Sequence, residues 1–345
     1  MEVVPWTFRP TELVESSIIF PSRGRSEKST ATVGIEAHYM ISMGKIHDQL
    51  NQLGRQGALA FANSDGERKV LEAAHGYMAD ESGAVGFLFS GWCQTALPHR
   101  KLPDDTVWVI KTDYVRLMIE PGSVDRDEGV SRVGVPYGSR ARLILLYLQS
   151  EAIRTNSRQI ELGRSLRVWL GKLGVPIGGK SMRDVRDQAL RISRCRMTFQ
   201  INQGAKVGFI NQNIVDTALF DNDDGGSLLE NVYLSERFFE ELKRHPVPLQ
   251  EAAIRALSNN SQALDIYCWL AYRLHSLAKP TVVTWAALMP QFGATSTERK
   301  TFRRRFLDNL QMALAVYPEA RVEVVKGGVR LIKSEAAVPE RVKKG

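Results

Sequence analysis

One segment of the chain matches a phosphate-binding motif in full. Residues Gly174–Ser181 read Gly-Val-Pro-Ile-Gly-Gly-Lys-Ser, which satisfies the P-loop pattern GxxxxGK[ST]. In a P-loop the backbone N–H groups surround the phosphates and the lysine, here Lys180, contacts the terminal ones. A P-loop follows a buried strand, whereas residues 164–173 have the apolar spacing of a helix. We therefore favour phosphate contact by Lys180 and Ser181 at a helix N-terminus, where the helix dipole attracts anions. A P-loop ATPase remains an alternative.

Other catalytic or metal-binding patterns are missing from the sequence. The three cysteines (Cys93, Cys195 and Cys268) are far apart, and no CxxC occurs. The six histidines form no HxxxH or HEXXH pattern, and there is no GxSxG. We therefore expect reduced thiols, no metal site, no catalytic residue and no cofactor. The chain is not expected to be an enzyme.

Positive charge is concentrated in two blocks. The 345 residues carry 46 Lys/Arg and 38 Asp/Glu, a net charge of +8. Residues 140–210 hold 14 basic against 4 acidic residues, and residues 296–334 hold 9 against 4. Between them, residues 211–265 hold 4 basic against 10 acidic residues. Clustered basic charge is typical of proteins that bind nucleic-acid phosphates, although solvated helix faces can produce it too.

The first basic block has the order of a winged helix-turn-helix unit. Apolar spacing predicts helices over 139–153, 164–173 and 180–195, with a short extended connector between the first two. Alternating residues at 197–201 and 207–211 predict a hairpin, which would be the wing. The third helix turns its arginines outward; these are Arg183, Arg186, Arg191 and Arg194.

The second basic block repeats this order at a coarse level. The pattern predicts helices over 261–277, 281–289 and 296–317, followed by a hairpin around Lys326-Gly327-Gly328. The N-terminal half of the third helix is crowded with cations, which are Arg299, Lys300, Arg303 and Arg304. Two basic third helices in two copies of one pattern favour contact with DNA.

These elements predict a helix-rich α+β fold with two tandem winged helix-turn-helix domains and short β-hairpin wings. The acidic segment that begins at Asp221 would separate the domains. The expected division is 1–66, a polar and partly flexible segment with a short helix around 35–53; 67–220, the first winged-helix domain; 221–228, an acidic linker; 229–335, the second winged-helix domain; and 336–345, a basic tail.

The stretch Val133–Phe199 resembles the plasmid-encoded RepA family of bacterial replication initiators. The resemblance covers roughly residues 70–335 and leaves the first 66 residues poorly covered. It depends on the strings Val135–Arg142, Arg164–Leu166, Arg186–Ala189 and Arg191–Cys195, and upstream on Gly86–Gly91 and Leu97–Arg100.

The resemblance implies an initiator that binds double-stranded origin repeats, helps to open the duplex and recruits the host helicase or its loader without hydrolysing ATP. Each third helix would lie in the major groove, and each wing would touch the backbone or minor groove. The residues that we expect to contact DNA are Arg140, Arg142, Lys180, Ser181, Arg183, Arg186, Arg191 and Arg194 in the first domain, Lys206 on its wing, Arg299, Lys300, Arg303 and Arg304 in the second domain, and Lys326 and Arg330 on the second wing.

Other functions fit the same sequence. A DNA-binding transcriptional repressor, acting on its own gene, would use the same two domains. A scaffold that binds proteins through the acidic block at 211–265 would show no salt-sensitive affinity for DNA. A homodimer formed through the first domain is compatible with an initiator.

We expect a cytoplasmic protein without membrane contact. No run approaches the 18 apolar residues that a membrane-spanning helix needs. The N-terminus, Met1-Glu2-Val3-Val4-Pro5, lacks the basic and apolar regions of a signal peptide.

Overall fold

A computed structural model describes residues 43–112, 115–126, 129–203, 206–212, 214–220, 229–294 and 298–339. These residues form helices and small antiparallel sheets, which confirms the α+β class. The helices are α1 (Met43–Ala60), α2 (Asp65–Met78), α3 (Ser90–Cys93), α4 (Gly138–Thr155), α5 (Gly163–Lys172), α6 (Gly179–Arg194), α7 (Glu236–Arg244), α8 (Glu251–Leu257), α9 (Ser261–Arg273), α10 (Trp285–Phe292) and α11 (Arg299–Ala315).

The strands of the described residues form five sheets, with orders β1-β11, β6-β10-β9, β12-β14-β13, β2-β3-β7-β8 and β4-β5. Their bounds are β1 (Val85–Phe89), β2 (Trp108–Lys111), β3 (Val115–Glu120), β4 (Ser123–Arg126), β5 (Gly129–Arg132), β6 (Gln159–Glu161), β7 (Arg196–Gln203), β8 (Lys206–Gln212), β9 (Val215–Phe220), β10 (Leu229–Leu234), β11 (Pro246–Gln250), β12 (Thr281–Thr284), β13 (Arg321–Val325) and β14 (Gly328–Ile332).

Several helices begin at a polar residue whose side chain accepts a backbone N–H. Ser64 accepts the N–H of Glu67 ahead of α2. Asn260 and Thr284 do the same at the starts of α9 and α10. Each cap satisfies one donor of the first turn, which otherwise has no partner in the helix.

The C-terminal part of the chain has the order α9, β12, α10, α11, β13, β14. Strand β14 lies between β12 and β13 and pairs antiparallel with both. The helix predicted over 281–289 was wrong at its start, because residues 281–284 form β12 and the helix begins at Trp285. The β-branched residues of Thr281–Thr284 favour a strand, and pairing with β14 satisfies their backbone groups.

The middle of the chain has a similar order, α4, β6, α5, α6, but a different hairpin pairs with its short strand. Strand β6 pairs with β10, which pairs in turn with β9. The predicted hairpin over 197–211 is present as β7 and β8, yet β7 also pairs along its length with β3. The hairpin therefore extends a four-stranded sheet, and the hairpin attached to β6 is β9–β10.

The acidic segment 221–228 lies outside the described residues, but its flanks are described. Phe220 and Leu229 on either side of it are paired residues of β9 and β10. Strand β1 pairs with β11, so residues of both predicted domains also share a sheet. The acidic segment thus joins two strands of one sheet, and the division into two domains stays a prediction.

Helix α1 occupies part of the segment predicted to be polar and partly flexible. Its Ile46 and Leu50 are buried in a small cluster with Val70 and Leu71 of α2 and with Ala315 of α11. Residues 43–53 of the helix expected around 35–53 lie in α1, which continues to Ala60, and Gly54 interrupts α1 with φ 65°. Residues 1–42 and 340–345, which include the start of this segment and most of the basic tail, are outside the described residues.

A single large core cluster runs through most of the remaining elements and includes residues from Ala73 to Ala337. Within the described part of the chain, no helix is both long enough and apolar enough to cross a membrane.

Candidate nucleic-acid interface

Helix α6 presents a basic face to solvent. Its buried residues Met182, Val185 and Ile192 follow helical spacing, so the opposite face is left to polar side chains. Arg183 and Arg194 are exposed on that face, and Lys180 is exposed in the first turn. Three of the predicted cations are therefore accessible to an anionic ligand.

The P-loop motif leads from one helix into another. Its first residue, Gly174, lies just after α5, whose last turn ends at Lys172 and Leu173. Gly178 is the N-cap of α6, so Lys180 and Ser181 lie in the first turn of a 16-residue helix. A P-loop instead joins a buried strand to a helix. This geometry allows an anion at the N-terminus of α6 but differs from a nucleotide-binding P-loop.

Arg191 was wrongly predicted to face outward. It is only 4% exposed, its Nε bonds to Asp187 at 2.9 Å, and its Nη1 bonds to Asp104 at 3.1 Å and to the carbonyl of Val135 at 3.4 Å. Its guanidinium also lies over the ring of Tyr137, 5.3 Å from the centroid. Arg191 holds α6 against neighbouring segments, and its buried donors do not face a DNA surface.

Arg142 was also wrongly predicted to contact DNA. It is 6% exposed, and its Nε and Nη2 donate to the two carboxylate oxygens of Asp265 at 2.6 and 2.7 Å. Nη2 also donates to the carbonyl of Leu97 at 2.7 Å, and Nη1 donates to Pro98 and Gly138 at 3.2 and 2.9 Å. All five N–H donors of the guanidinium are thus used inside the protein.

Three predicted residues near the start of α6 are half-buried and incompletely bonded. Arg140 donates to the Asn259 side chain at 3.3 Å, and burial lowers the pKa of its guanidinium. Arg140 Nη1, Ser181 Oγ and Arg186 Nε are buried and have no hydrogen-bond partner among the described residues. Unpaired buried donors of this kind are unfavourable unless something satisfies them. Each of the three residues therefore keeps one side-chain donor without a partner.

Helix α11 carries the second predicted cluster. Its core side is made by Phe302, Phe306 and Leu310, which are buried. The opposite side exposes the cations predicted from the sequence, apart from the half-buried Arg303, whose guanidinium lies 5.0 Å from the ring centroid of Trp285. The exposed cations of the N-terminal half are Arg299, Lys300, Arg304 and also Arg305.

The turn between β13 and β14 contributes one exposed lysine. Lys326 is exposed there, whereas Arg330 donates to Glu323 across the hairpin at 2.7 Å. That pair neutralises part of the charge predicted for this wing. Lys206 begins β8 directly after the described end of β7, and its side chain lies outside the described residues.

A comparison with protein-family models matches residues 135–287 to the family described as "Plasmid encoded RepA protein". This match covers 153 of the 345 residues and supports the resemblance to the RepA family. The recognition made from the sequence is therefore confirmed, over a shorter range than the 70–335 inferred from it. The RepA segment contains α6, the Gly174–Ser181 turn and the Arg142–Asp265 pair, and it ends within α10.

Two solved structures of RctB are similar to the chain at a low level. One is of SeMet derivatives of domain 2 and domain 3, with 14% identity over 73% of this chain and 100% of its own, and a TM-score of 0.46. The other is of RctB domains 2-3, with 14% identity, 69% and 93% coverage and a TM-score of 0.39. Similarity this weak is no evidence for a shared function. No curated protein matches the chain.

The RepA segment also holds a buried polar network that the sequence did not reveal. His99 precedes the segment and contacts Ser261 Oγ through Nδ1 at 3.0 Å. The same nitrogen lies 3.4 Å from Arg142 Nη2. Burial, reinforced by the charge of Arg142, lowers the pKa of His99 to about 3, so the ring is neutral. Burial also raises the pKa of Asp265, and Arg142 opposes that rise.

Other chemistry is sparse in the described part of the RepA segment and its flanks. Cys93, Cys195 and Cys268 are all buried free thiols. Burial raises the pKa of Cys195 to about 11 and raises those of Cys93 and Cys268 further. Such thiols are poor nucleophiles. Among the described residues, no three His, Cys, Asp or Glu side chains are grouped to hold a metal ion.

The residue that sequence reasoning missed is Arg305. It lies outside the RepA segment, and the run Arg303-Arg304-Arg305 was the available signal. Arg305 lies in the sequence between Phe302 and Phe306, which are buried, so helical spacing alone did not predict that its side chain is exposed. In the structure it is exposed, because a helix that packs along a narrow stripe leaves most of its circumference to solvent.

Proposed function

We propose that the chain is a plasmid replication initiator that binds double-stranded origin repeats through two winged-helix units, without chemistry of its own. The observation that carries the proposal is the pair of exposed basic helices, α6 and α11. Each helix is third in an order of helix, short strand, helix, helix. The RepA match over residues 135–287 supports the replication role.

The strand pairing supports the winged-helix interpretation. In the C-terminal unit the short strand β12 pairs with β14 of the following hairpin. In the first unit the equivalent strand β6 pairs with β10, so β9–β10 is the wing that we propose there. The hairpin β7–β8, to which the sequence assigned this role, then serves the neighbouring sheet.

The two basic helices would read successive segments of one duplex. A recognition helix places its N-terminal residues against base edges, and two such units reach successive major-groove faces about 34 Å apart. The N-terminal half of α6 exposes Lys180 and Arg183, and that of α11 exposes Arg299, Lys300, Arg304 and Arg305, where this geometry needs cations. Opening the duplex and recruiting the helicase or its loader would follow binding to repeats. Dimerisation through the first unit would offer an autorepressing form.

A titration on the DNA that flanks the gene tests this proposal. At two salt concentrations, fluorescence anisotropy with scrambled competitor should show preferred binding to repeated segments and a steep loss of affinity with salt, because phosphate contacts release counterions. Equal weak binding to all DNA, or none, would contradict the proposal. The gene with its upstream DNA should also sustain a replicon; specific binding without replication would assign the protein to repression.

Arg183→Ala is expected to weaken specific binding more than non-specific binding. An arginine that bonds a guanine edge contributes about 1–3 kcal/mol of discrimination, whereas a phosphate contact affects all sequences alike. The measurement compares the Kd on a repeat and on scrambled DNA for both proteins. Arg244→Ala is the matched control, because Arg244 is an exposed helical arginine of α7 that pairs with Glu241. Equal losses on both DNAs would exclude a base-reading role for Arg183.

A further inference from the structure

Helices α1 and α2 pack along the C-terminal half of α11. Val70, Leu71 and Ala74 of α2 are buried in one cluster with Ala315, and Met312 packs against the same cluster. The ring Nε2 of His47 in α1 also lies 2.9 Å from the carbonyl oxygen of Ala315. The two helices precede the RepA segment, so this contact joins a separate part of the chain to the second basic helix.

The face of α11 that meets α2 continues into the basic part of the helix. Ala315, Met312, Asp308 and Arg304 are three or four residues apart, so they lie on one side of α11. Burial raises the pKa of Asp308, and the charges of Arg304 and of Lys69 in α2 oppose that rise. The packing and the charge effect of Lys69 on Asp308 together place Lys69 beside the middle of α11, one turn from Arg304.

Lys69 and the residue before it, Arg68, both have exposed side chains. Neither forms an ion pair with a described residue. By contrast, Arg55 of α1 and Glu72 of α2 form an ion pair, with 2.8 Å between Arg55 Nη2 and Glu72 Oε1. The acidic groups nearby are Asp65 and Glu67 in the first turn of α2, where they interact favourably with the helix dipole, and Asp308 on α11. Glu67 also accepts the backbone N–H of Asn63 at 2.8 Å.

We propose that Arg68 and Lys69 extend the DNA-binding surface of α11 and contact backbone phosphates beside the segment that α11 reads. This inference depends on the proposed function, because Arg68 and Lys69 would contact DNA only if α11 does. Lysine and arginine bind phosphates without reading sequence, so the two residues would add affinity and lengthen the footprint without changing specificity. The segment before the RepA match thereby belongs to the DNA-binding machinery.

The test is the double variant Arg68→Gln/Lys69→Gln in the full chain, titrated with origin DNA and scrambled DNA over a range of salt. Affinity should fall about tenfold on both DNAs, and the slope of log K against log salt should decrease by about two, since each phosphate contact contributes about 0.9. The ratio of specific to non-specific affinity should not change. Thermal unfolding of the variant should match that of the unmodified protein, because both side chains are exposed.

Lys243→Gln/Arg244→Gln is the matched control. It removes two adjacent cations from α7, the half-buried Lys243 and the exposed Arg244, and each of them pairs with a glutamate of the same helix. This control should leave unchanged both the affinity for DNA and the slope of log K against log salt. If the unmodified protein binds with a steep slope and Arg68→Gln/Lys69→Gln behaves like this control, the inference is wrong and the proposed function stands. If the unmodified protein shows no salt-dependent binding, the proposed function itself is wrong.

Discussion

Asp265→Ala is expected to lower the free energy of unfolding by about 3–5 kcal/mol, the usual range for removing one partner of a buried ion pair. The Asp265 carboxylate accepts two short bonds from Arg142, whose side chain is 6% exposed. Without it, a buried guanidinium keeps its charge and loses two of its five acceptors. Urea unfolding followed by tryptophan fluorescence measures the change.

Glu323→Ala provides the control for this prediction. Glu323 also pairs with an arginine, Arg330 at 2.7 Å, but both side chains are substantially exposed. Exposed pairs contribute about 0–1 kcal/mol, so the control should unfold almost as the unmodified protein does. Should Asp265→Ala not fold, Asp265→Asn keeps the shape of the side chain and still tests the charge. A loss below about 1 kcal/mol for both Asp265 variants would contradict a structural role for the pair.

The Arg142–Asp265 pair also joins the first helices of the two proposed units. Arg142 lies in α4, directly before the first unit's short strand, and Asp265 lies in α9, the first helix of the second unit. The carbonyls of Leu97 and Pro98 bring a third segment to the same guanidinium. A residue that resembled a DNA contact thus connects the two proposed DNA-binding units. Its substitution would reduce DNA binding through the fold and not through a lost phosphate contact.

Local patterns predicted the helices well and the sheets poorly. Helix α6 was expected over 180–195 and spans Gly179–Arg194, because apolar spacing and the Gly178-Gly179 turn are both local. The pairings of β1 with β11 and of β6 with β10 join residues far apart in the chain. A hairpin can be predicted from its own sequence, but the strand that pairs with its outer edge cannot. For that reason the sequence assigned β7–β8 as the wing of the first proposed unit, whereas the pairing of β6 favours β9–β10.

The exposure of a predicted DNA-contacting residue could be predicted where it depends only on the helix that carries the residue. It could not be predicted where a distant segment of the chain covers the side chain. Arg183 and Arg191 are both arginines and lie about two turns apart in α6. Arg191 is buried because Asp104 and the carbonyl of Val135, both from distant segments, accept its N–H groups. Nothing within α6 indicates those acceptors. The same reason applies to Arg142, whose acceptors come from residues 97, 98, 138 and 265.

The neutral His99 ring is expected to make the protein less stable in mild acid. Its pKa is lowered to about 3, mainly by burial and further by Arg142, while a histidine in the unfolded chain has its ordinary pKa of about 6.5. Between these values the unfolded chain binds a proton that the folded chain does not. Stability therefore falls as the pH falls below 6.5, by about 1.4 kcal/mol per pH unit, until it levels off near pH 3. At pH 4.5 the loss should reach about 2–3 kcal/mol.

His99→Gln isolates this contribution, because glutamine does not titrate and its side-chain oxygen can accept from the Ser261 hydroxyl in place of Nδ1. Urea unfolding at pH 7 and at pH 4.5 should show a smaller loss for the variant than for the unmodified protein. Asp265 and the surface carboxylates titrate in both proteins, so the difference between the two losses reports His99 alone. Equal losses would mean that His99 is protonated in the folded protein, and the buried network beside Arg142 would then have to accommodate a second positive charge.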